Sequence, residues 1–170
     1  MDWDVPTPGN MMEVITRYFE QENINYRRID GKVLHAGFQG RHLNYQVLVM
    51  VHEEKRRAVF HSTVPVRVQQ EQRAVVAEYI CRANQGLMLG KFELDFESGS
   101  VTYKTSIDVD GGELTMEMVR TLLHVNLSTT DRYATGLIRV LYGDLRPAQA
   151  IAELEGHSAM RRRAAQAALN

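Results

Sequence analysis

The sequence has little of what catalytic, metal-binding and membrane-spanning chains usually contain. Its 170 residues include one cysteine, Cys81, so an internal disulfide and a cysteine-cluster metal site are excluded. No stretch approaches the roughly 20 apolar residues needed to cross a bilayer. The opening MDWDVPTPGN has two aspartates where a targeting signal would carry lysine or arginine, and no apolar segment follows. These absences predict a cytoplasmic protein.

The sequence also lacks a surplus of charge of either sign. The net charge is −1, so no long-range attraction for nucleic acid or anionic lipid is expected, and neither is a predicted partner. Hydrophobic residues at 44% and charged residues at 24% are typical of one soluble domain, which we place at 1–155. The exception is a basic C-terminal tail, 156–170, with Arg161, Arg162 and Arg163. We expect it to be a solvated end, with a weak acidic-surface contact as the alternative.

Helical spacing of apolar residues appears in four segments. Asn10 can cap the first helix, and Thr115 can cap a long third helix that Gly143 ends. Pro147 is suited to the first turn of a short last helix. The predicted helices cover about Met11 to Glu22, roughly Gln69 to Asn84, about Met116 to Leu141, and a short segment after Pro147.

Alternating residues between these helices predict strands. Asp30-Gly31 separates two short runs and is a strong hairpin signal, because both turn positions tolerate positive φ. A second hairpin turns at Ser98-Gly99, with Phe92, Leu94 and Phe96 on its apolar side. Strands joined by such short turns are antiparallel. The chain is therefore predicted to be an α+β domain, with an antiparallel sheet of about five strands packed against helices.

The strand from Leu43 to Val51 is apolar at more than every second position. Leu43, Tyr45, Val47, Val49 and Val51 alternate with a set that includes Leu48 and Met50. A strand with apolar residues on both sides is typical of a sheet buried on both faces. We therefore expect this strand to be central and covered on both faces.

No constellation of residues marks a reaction centre. Cys81 has no histidine or arginine pattern that would lower its pKa. The six histidines lack ligand spacing, and Asp108-Val109-Asp110-Gly111-Gly112-Glu113 lacks the frame of a calcium loop. The glycines form neither a P-loop nor a dinucleotide fingerprint. No catalytic residue, metal or cofactor is predicted.

The central region resembles the YbjN family of bacterial proteins, which are called sensory transduction regulators. The similarity is carried by Arg82-Ala83-Asn84, by the hairpin FELDFESGSVTYKTSIDV, and by Asp131-Arg132-Tyr133, within Val64 to Gly143. The resemblance implies a fold like that of the small chaperones of type III secretion, which form homodimers and hold an extended partner chain. It supplies no catalytic residues.

These observations lead to a hypothesis of a non-enzymatic regulator or chaperone-like adaptor that binds a protein or peptide as a homodimer. Apolar residues outside the main stripe of the long helix, and on the last strand, are the candidate partner or dimer surface. They are Tyr103, Thr105, Ile107, Leu122, Val125, Tyr133 and Val140.

Two alternatives remain open from the sequence. The first is an enzyme or small-molecule-binding protein whose site is assembled from scattered polar residues, namely His124, Asn126, Asp131 and Arg132. A deep polar pocket would favour this alternative, and a shallow apolar groove would favour protein binding. The second is nucleic-acid binding through Arg161 to Arg163.

Overall fold

The structure is a computed structural model and describes residues 9–156. In this part of the chain, six strands form one antiparallel sheet. The strands are β1 (Tyr26–Arg28), β2 (Val33–Gln39), β3 (Asn44–His52), β4 (Arg57–Arg67), β5 (Lys91–Leu94) and β6 (Ser100–Asp108). Their order across the sheet is β1-β2-β3-β4-β6-β5. The predicted α+β antiparallel architecture is confirmed, with six strands in place of about five.

Four helices accompany the sheet. They are α1 (Met11–Gln21), α2 (Arg73–Gln85), α3 (Met116–Tyr142) and α4, whose described part covers 147–156. The first four residues expected in α2, 69–72, lie before it, because Gln70–Gln72 forms a short 3-10 turn. The long third helix runs unbroken over 27 residues, through the serine and threonines at its centre.

The helix starts are fixed by side-chain caps. The Asn10 side chain accepts a hydrogen bond from the Glu13 N–H, and Thr115 accepts one from the Met118 N–H, as their positions predicted. A second cap on α1 comes from far along the chain. The Glu53 carboxylate, in the β3–β4 turn, accepts from the N–H groups of Met11 at 3.1 Å and Met12 at 2.8 Å. This contact joins the start of α1 to the end of the β3–β4 hairpin.

The described helices cover one face of the sheet, and the core lies between them and that face. Phe19 of α1 and Phe60 of β4 lie in the half of the core that includes the first part of α3. Tyr79 of α2 and Tyr103 of β6 lie in the other half, with the last part of α3 and α4. The long helix therefore spans both halves and ties them together.

The opposite face of the sheet carries no described helix. We call it the open face, and define it by the alternate strand residues that point away from the helices, such as Val33, Leu48, Met50, Val59 and Thr102. The expectation that β3 is covered on both faces is therefore wrong for the described residues. Leu48 is 36% exposed, and Met50 is only half-buried by its neighbours on the same face.

The second hairpin also differs from its sequence pattern at one residue. Phe96 was expected beside Phe92 and Leu94, but it is exposed. The reason is that β5 ends at Leu94, and Asp95 then begins the turn by accepting the N–H groups of Glu97 and Ser98. Strand alternation does not continue into a turn, so Phe96 is left in solvent.

Candidate functional site

A cleft of about 620 Å³ opens between the β2–β3 turn, the middle of α3 and the last helix. It is lined by Gly40, Arg41, His42, His124, Leu127, Ser128, Asp131, Arg132, Thr135 and Leu154. This size is within the usual range of ligand pockets, roughly 300–1,000 Å³. Three residues of the predicted polar site, His124, Asp131 and Arg132, are brought together here.

Asp131 holds the β2–β3 turn against α3. Its carboxylate accepts hydrogen bonds from the backbone N–H groups of Arg41 at 3.2 Å and His42 at 3.0 Å, and from the Tyr45 hydroxyl at 2.9 Å. The Nδ1 atom of His42 lies 3.1 Å from the same carboxylate. Asp131 thus serves as a positioning group for the turn.

Gly40 allows this close approach. A Cβ atom at position 40 would lie 2.4 Å from Oδ1 of Asp131 and 2.5 Å from Cε2 of Tyr45. Both distances are shorter than any real contact to a Cβ atom, so a larger residue would push the turn away from α3. The turn and the α3 carboxylate therefore fit together only with glycine here.

The charges at this contact shift two pKa values in opposite directions. Burial alone would raise the pKa of the Asp131 carboxyl, but the hydrogen bonds from His42 and Tyr45 outweigh it and lower that pKa. Burial, followed by the bond to Asp131, raises the pKa of the Tyr45 hydroxyl. At neutral pH the pair is therefore a carboxylate that accepts from a neutral phenol.

Replacing Asp131 with asparagine should lower the free energy of unfolding at neutral pH by about 2 kcal/mol. The reason is that the charge-assisted hydrogen bonds that the Asp131 carboxylate accepts are lost. A lowered folded-state pKa gives stability that is present above the unfolded value of about 3.9 and is lost as the pH falls through the folded value. Urea unfolding should therefore show the variant and the parent converging in acid.

The matched control for this prediction is Asp110→Asn, at an exposed loop position. It should leave the urea midpoint at neutral pH within about 0.5 kcal/mol of the parent. If the Asp131→Asn variant has the same loss in free energy of unfolding at neutral and at acidic pH, the carboxylate charge does not hold the turn.

Asn126, the fourth residue of the predicted polar site, lies elsewhere. Its side chain is fully buried between α3 and the sheet, where it accepts from the Ser62 hydroxyl. Its Nδ2 atom lies within hydrogen-bond distance of Phe60 O at 3.0 Å, Thr105 Oγ1 at 3.1 Å and Tyr103 O at 3.3 Å. The residue fastens α3 to β4 and β6 inside the core and does not reach the cleft.

The remaining cleft groups favour binding over proton transfer. Asp131 is the only acid in the described lining, and the turn uses both of its oxygens. The Arg132 guanidinium donates to the Leu154 carbonyl at 3.0 Å and lies 5.2 Å from the centre of the Tyr133 ring. His124 is exposed. No group in this lining is arranged as a base beside a nucleophile.

The expected apolar partner surface lies mostly inside the chain. The buried members are Tyr103, Thr105, Leu122, Tyr133 and Val140, whereas Ile107 and Val125 are half-buried. The physical reason is that α3 packs against β4 and β6 and also against α1 and α2, so its second apolar side is covered within the same chain. These five side chains offer no area to a partner.

The open face presents an apolar band that the sequence pattern did not mark as a surface. The strand register places Val33, Met50 and Val59 side by side on β2, β3 and β4, and Ile29 follows β1 opposite Val33. In the next row Leu48 lies between His35 and His61. The apolar band consists of Ile29, Val33, Leu48, Met50 and Val59. Its signal in the sequence was the apolar second set of β3, which we assigned to burial.

His61 borders the band on β4. Burial, and next the charge of Lys104 beside it on β6, lower the pKa of the His61 imidazole. The ring is therefore neutral at physiological pH, and its nitrogen atoms are available to donate and accept hydrogen bonds at the surface.

One edge of the sheet is closed to strand addition. The Asn84 side chain, at the end of α2, accepts from the Phe92 N–H at 2.8 Å and donates to the Phe92 carbonyl at 3.0 Å. These groups belong to the outer side of β5, because the neighbouring Asp95 N–H donates inward to Ser100. The amide of Asn84 thus takes the place of a neighbouring strand at Phe92, which protects this edge from pairing with another chain.

Neither a metal cluster nor a membrane-spanning helix occurs in the part of the chain that the structure describes. Over residues 9–156 no cluster of three or more histidine, cysteine, aspartate or glutamate side chains could hold a metal ion. None of the helices described is long and apolar enough to span a bilayer.

The sequence model of one family matches residues 12–139, which is most of the chain. Its description is YbjN, "Putative bacterial sensory transduction regulator". The chain belongs to the YbjN family. The resemblance stated from Arg82-Ala83-Asn84 and Asp131-Arg132-Tyr133 is thereby confirmed. The domain boundary at residue 155 stays a prediction, and Arg161 to Arg163 lie outside the described residues.

One solved structure agrees with this YbjN assignment at the level of fold. The crystal structure of YbjN from E. coli is similar with a TM-score of 0.57 at 12% identity, over 75% of this chain and 89% of that chain. The crystal structure of the ExsC-ExsE complex matches with a TM-score of 0.46 at 16% identity, over 76% of this chain and 91% of that chain. No curated protein sequence matches significantly.

Proposed function

We propose that this YbjN-family protein is a regulator that acts by binding another polypeptide on its open face, without catalysing a reaction. The observation that carries the proposal is the apolar band, because aliphatic side chains on a flat, solvent-facing sheet are typical of an interaction site. Leu48, in the row next to Met50, is exposed between two histidines. The family description as a regulator supports the same conclusion.

The binding mode that fits this face is contact through side chains. Strand addition at β5 is opposed by Asn84, which already bonds the outward backbone groups of Phe92. The open face instead offers side chains from four adjacent strands, which is an area suited to a segment lying across them. We place the partner over β1 to β4 for this reason.

Photocrosslinking at position 48 tests the proposal. A photoreactive phenylalanine analogue replaces Leu48 in one variant and Met118 in the control, since both residues are exposed and Met118 lies on α3, away from the open face. In the native cell the position-48 variant should form a discrete adduct with another protein, and the control should not.

We further propose that the protein acts as a homodimer in the cytoplasm. Met88, which is 98% exposed, and Leu89 lie next to each other in the α2–β5 loop, and a second copy would cover them. The exposed thiol of Cys81 is suited to a reducing compartment. The loop is separate from the open face, so dimerisation leaves the partner site accessible.

Light scattering of the purified protein should give twice the chain mass of 19.4 kDa. Exchanging Met88 and Leu89 together for aspartate should return the mass to that of one chain, because charge replaces the apolar contact. A parent protein that scatters as a single chain at all micromolar concentrations would refute the dimer.

A further inference from the structure

The open face has an unusual charge distribution. Strands β1 to β4 contain no aspartate or glutamate, although the whole chain has 21 acidic and 20 basic residues. The same strands contain four arginines and three histidines. The apolar band therefore lies in a region of the sheet where no strand residue is negatively charged.

The strand acids of the open face belong to β5 and β6, and ion pairs neutralise both of them. Asp108 is bonded to Arg57 at 2.7 Å. Glu93 is paired with Lys104 at 2.6 Å and Lys91 at 3.2 Å. Each of these carboxylates is thus paired with a cation of β4, β5 or β6.

One cation near the band, Arg27, has no carboxylate partner among residues 9–156. Arg27 lies on β1 beside His35, in the row that contains Leu48, and its side chain is exposed. His35 and His61 add ring nitrogen atoms on the two sides of Leu48.

We propose that the polypeptide bound on the open face is an acidic segment in which carboxylates are interspersed with aliphatic side chains. This inference rests on the proposed function and specifies its partner. Aliphatic residues would cover Val33, Leu48, Met50 and Val59, and aspartate or glutamate side chains would reach Arg27 and the histidines. No strand carboxylate of β1 to β4 would repel them.

Other occupants fit these charges less well. A second copy docked face to face would bring two regions without acidic strand residues together, so its cations would meet no counter-charge. Single-stranded nucleic acid is bound through stacking on aromatic rings, and the band is aliphatic throughout. An acidic, partly apolar polypeptide satisfies both the apolar and the basic groups.

Fluorescence anisotropy with two labelled peptides tests the inference. One peptide alternates glutamate with leucine, and the matched peptide alternates lysine with leucine. The glutamate peptide should bind the full chain at least about tenfold more tightly than the lysine peptide. Met50→Asp should weaken its binding by about tenfold or more, Arg27→Ala by about threefold, and the control Met118→Asp should leave it unchanged.

The outcomes separate the two proposals. If both peptides bind equally and Met50→Asp weakens both, the acidic partner is refuted and the polypeptide site on the open face stands. If Met50→Asp changes no binding, the open face is refuted as well. Displacement of the glutamate peptide by single-stranded DNA, or conversion of a dimer into single chains by Met50→Asp, would also overturn the inference.

Discussion

Replacing Gly99 with alanine should lower the free energy of unfolding by about 3 kcal/mol or more, which is a large part of the stability of a domain of this size. Gly99 has a φ of +72° in the β5–β6 turn, where a side chain costs about 1–2 kcal/mol. A Cβ atom there would also lie 2.2 Å from the Val68 carbonyl oxygen. That oxygen belongs to the backbone, and Val68 is buried, so the clash cannot be relieved by a rotamer change.

Gly111→Ala is the matched control for this experiment. Gly111 has nearly the same φ, +73°, but a Cβ atom there would meet nothing within 4 Å. Its cost should therefore be only the backbone part, about 1 kcal/mol. Urea midpoints for the two variants give the difference directly. Equal losses at positions 99 and 111 would contradict the close packing of the turn against Val68.

Replacing Asn126 with alanine should cost about 3 kcal/mol or more, because several buried partners lose their hydrogen bonds at once. The Ser62 hydroxyl and the Thr105 hydroxyl are themselves buried, so neither faces bulk solvent that could replace the missing amide. Breaking a buried polar network is among the few single changes with effects of this size. The measurement is urea unfolding followed by far-UV circular dichroism.

The control is Asn44→Ala, at the exposed first residue of β3. It should change the urea midpoint by less than about 0.5 kcal/mol. A second variant, Ser62→Ala, removes one donor and should cost less than Asn126→Ala while keeping the fold. If Asn126→Ala has the same urea midpoint as the parent, the Asn126 side chain does not hold α3 on the sheet.

The elements that the sequence predicted correctly are those set by neighbouring residues. The caps at Asn10 and Thr115 and the turn at Ser98-Gly99 each depend on contacts within a few positions, and the structure contains all three. Alternation along β6 and helical spacing along α3 likewise reflect local geometry. Such patterns were enough for the α+β class and the antiparallel pairing.

The parts that the sequence did not predict depend on contacts between distant residues. Asp131 bonds to Arg41, 90 positions away, and Asn126 bonds to Phe60, 66 positions away. Local spacing therefore could not show that Asp131 contacts the turn and that Asn126 lies in the core. Tyr133 was expected at a surface, but it packs against Phe92 with ring centres 5.7 Å apart. Apolar character alone does not tell which neighbour covers a side chain.

The error over β3 has the same origin and the largest functional consequence. Leu48 and Met50 are as apolar as a doubly covered strand requires, and the sequence cannot show that no described helix packs on their side. The open face became visible only when the register placed them beside Val33, Val59 and the two histidines. A pattern that predicted burial is in the structure a candidate binding surface.

Crosslinking from position 48 in the native cell is the most direct measurement of whether the open face holds another polypeptide. The account predicts an adduct of higher mass at Leu48 that mass spectrometry assigns to a different protein and that Met50→Asp removes. Adducts formed only from Met118, or only between copies of this chain at position 48, would contradict it.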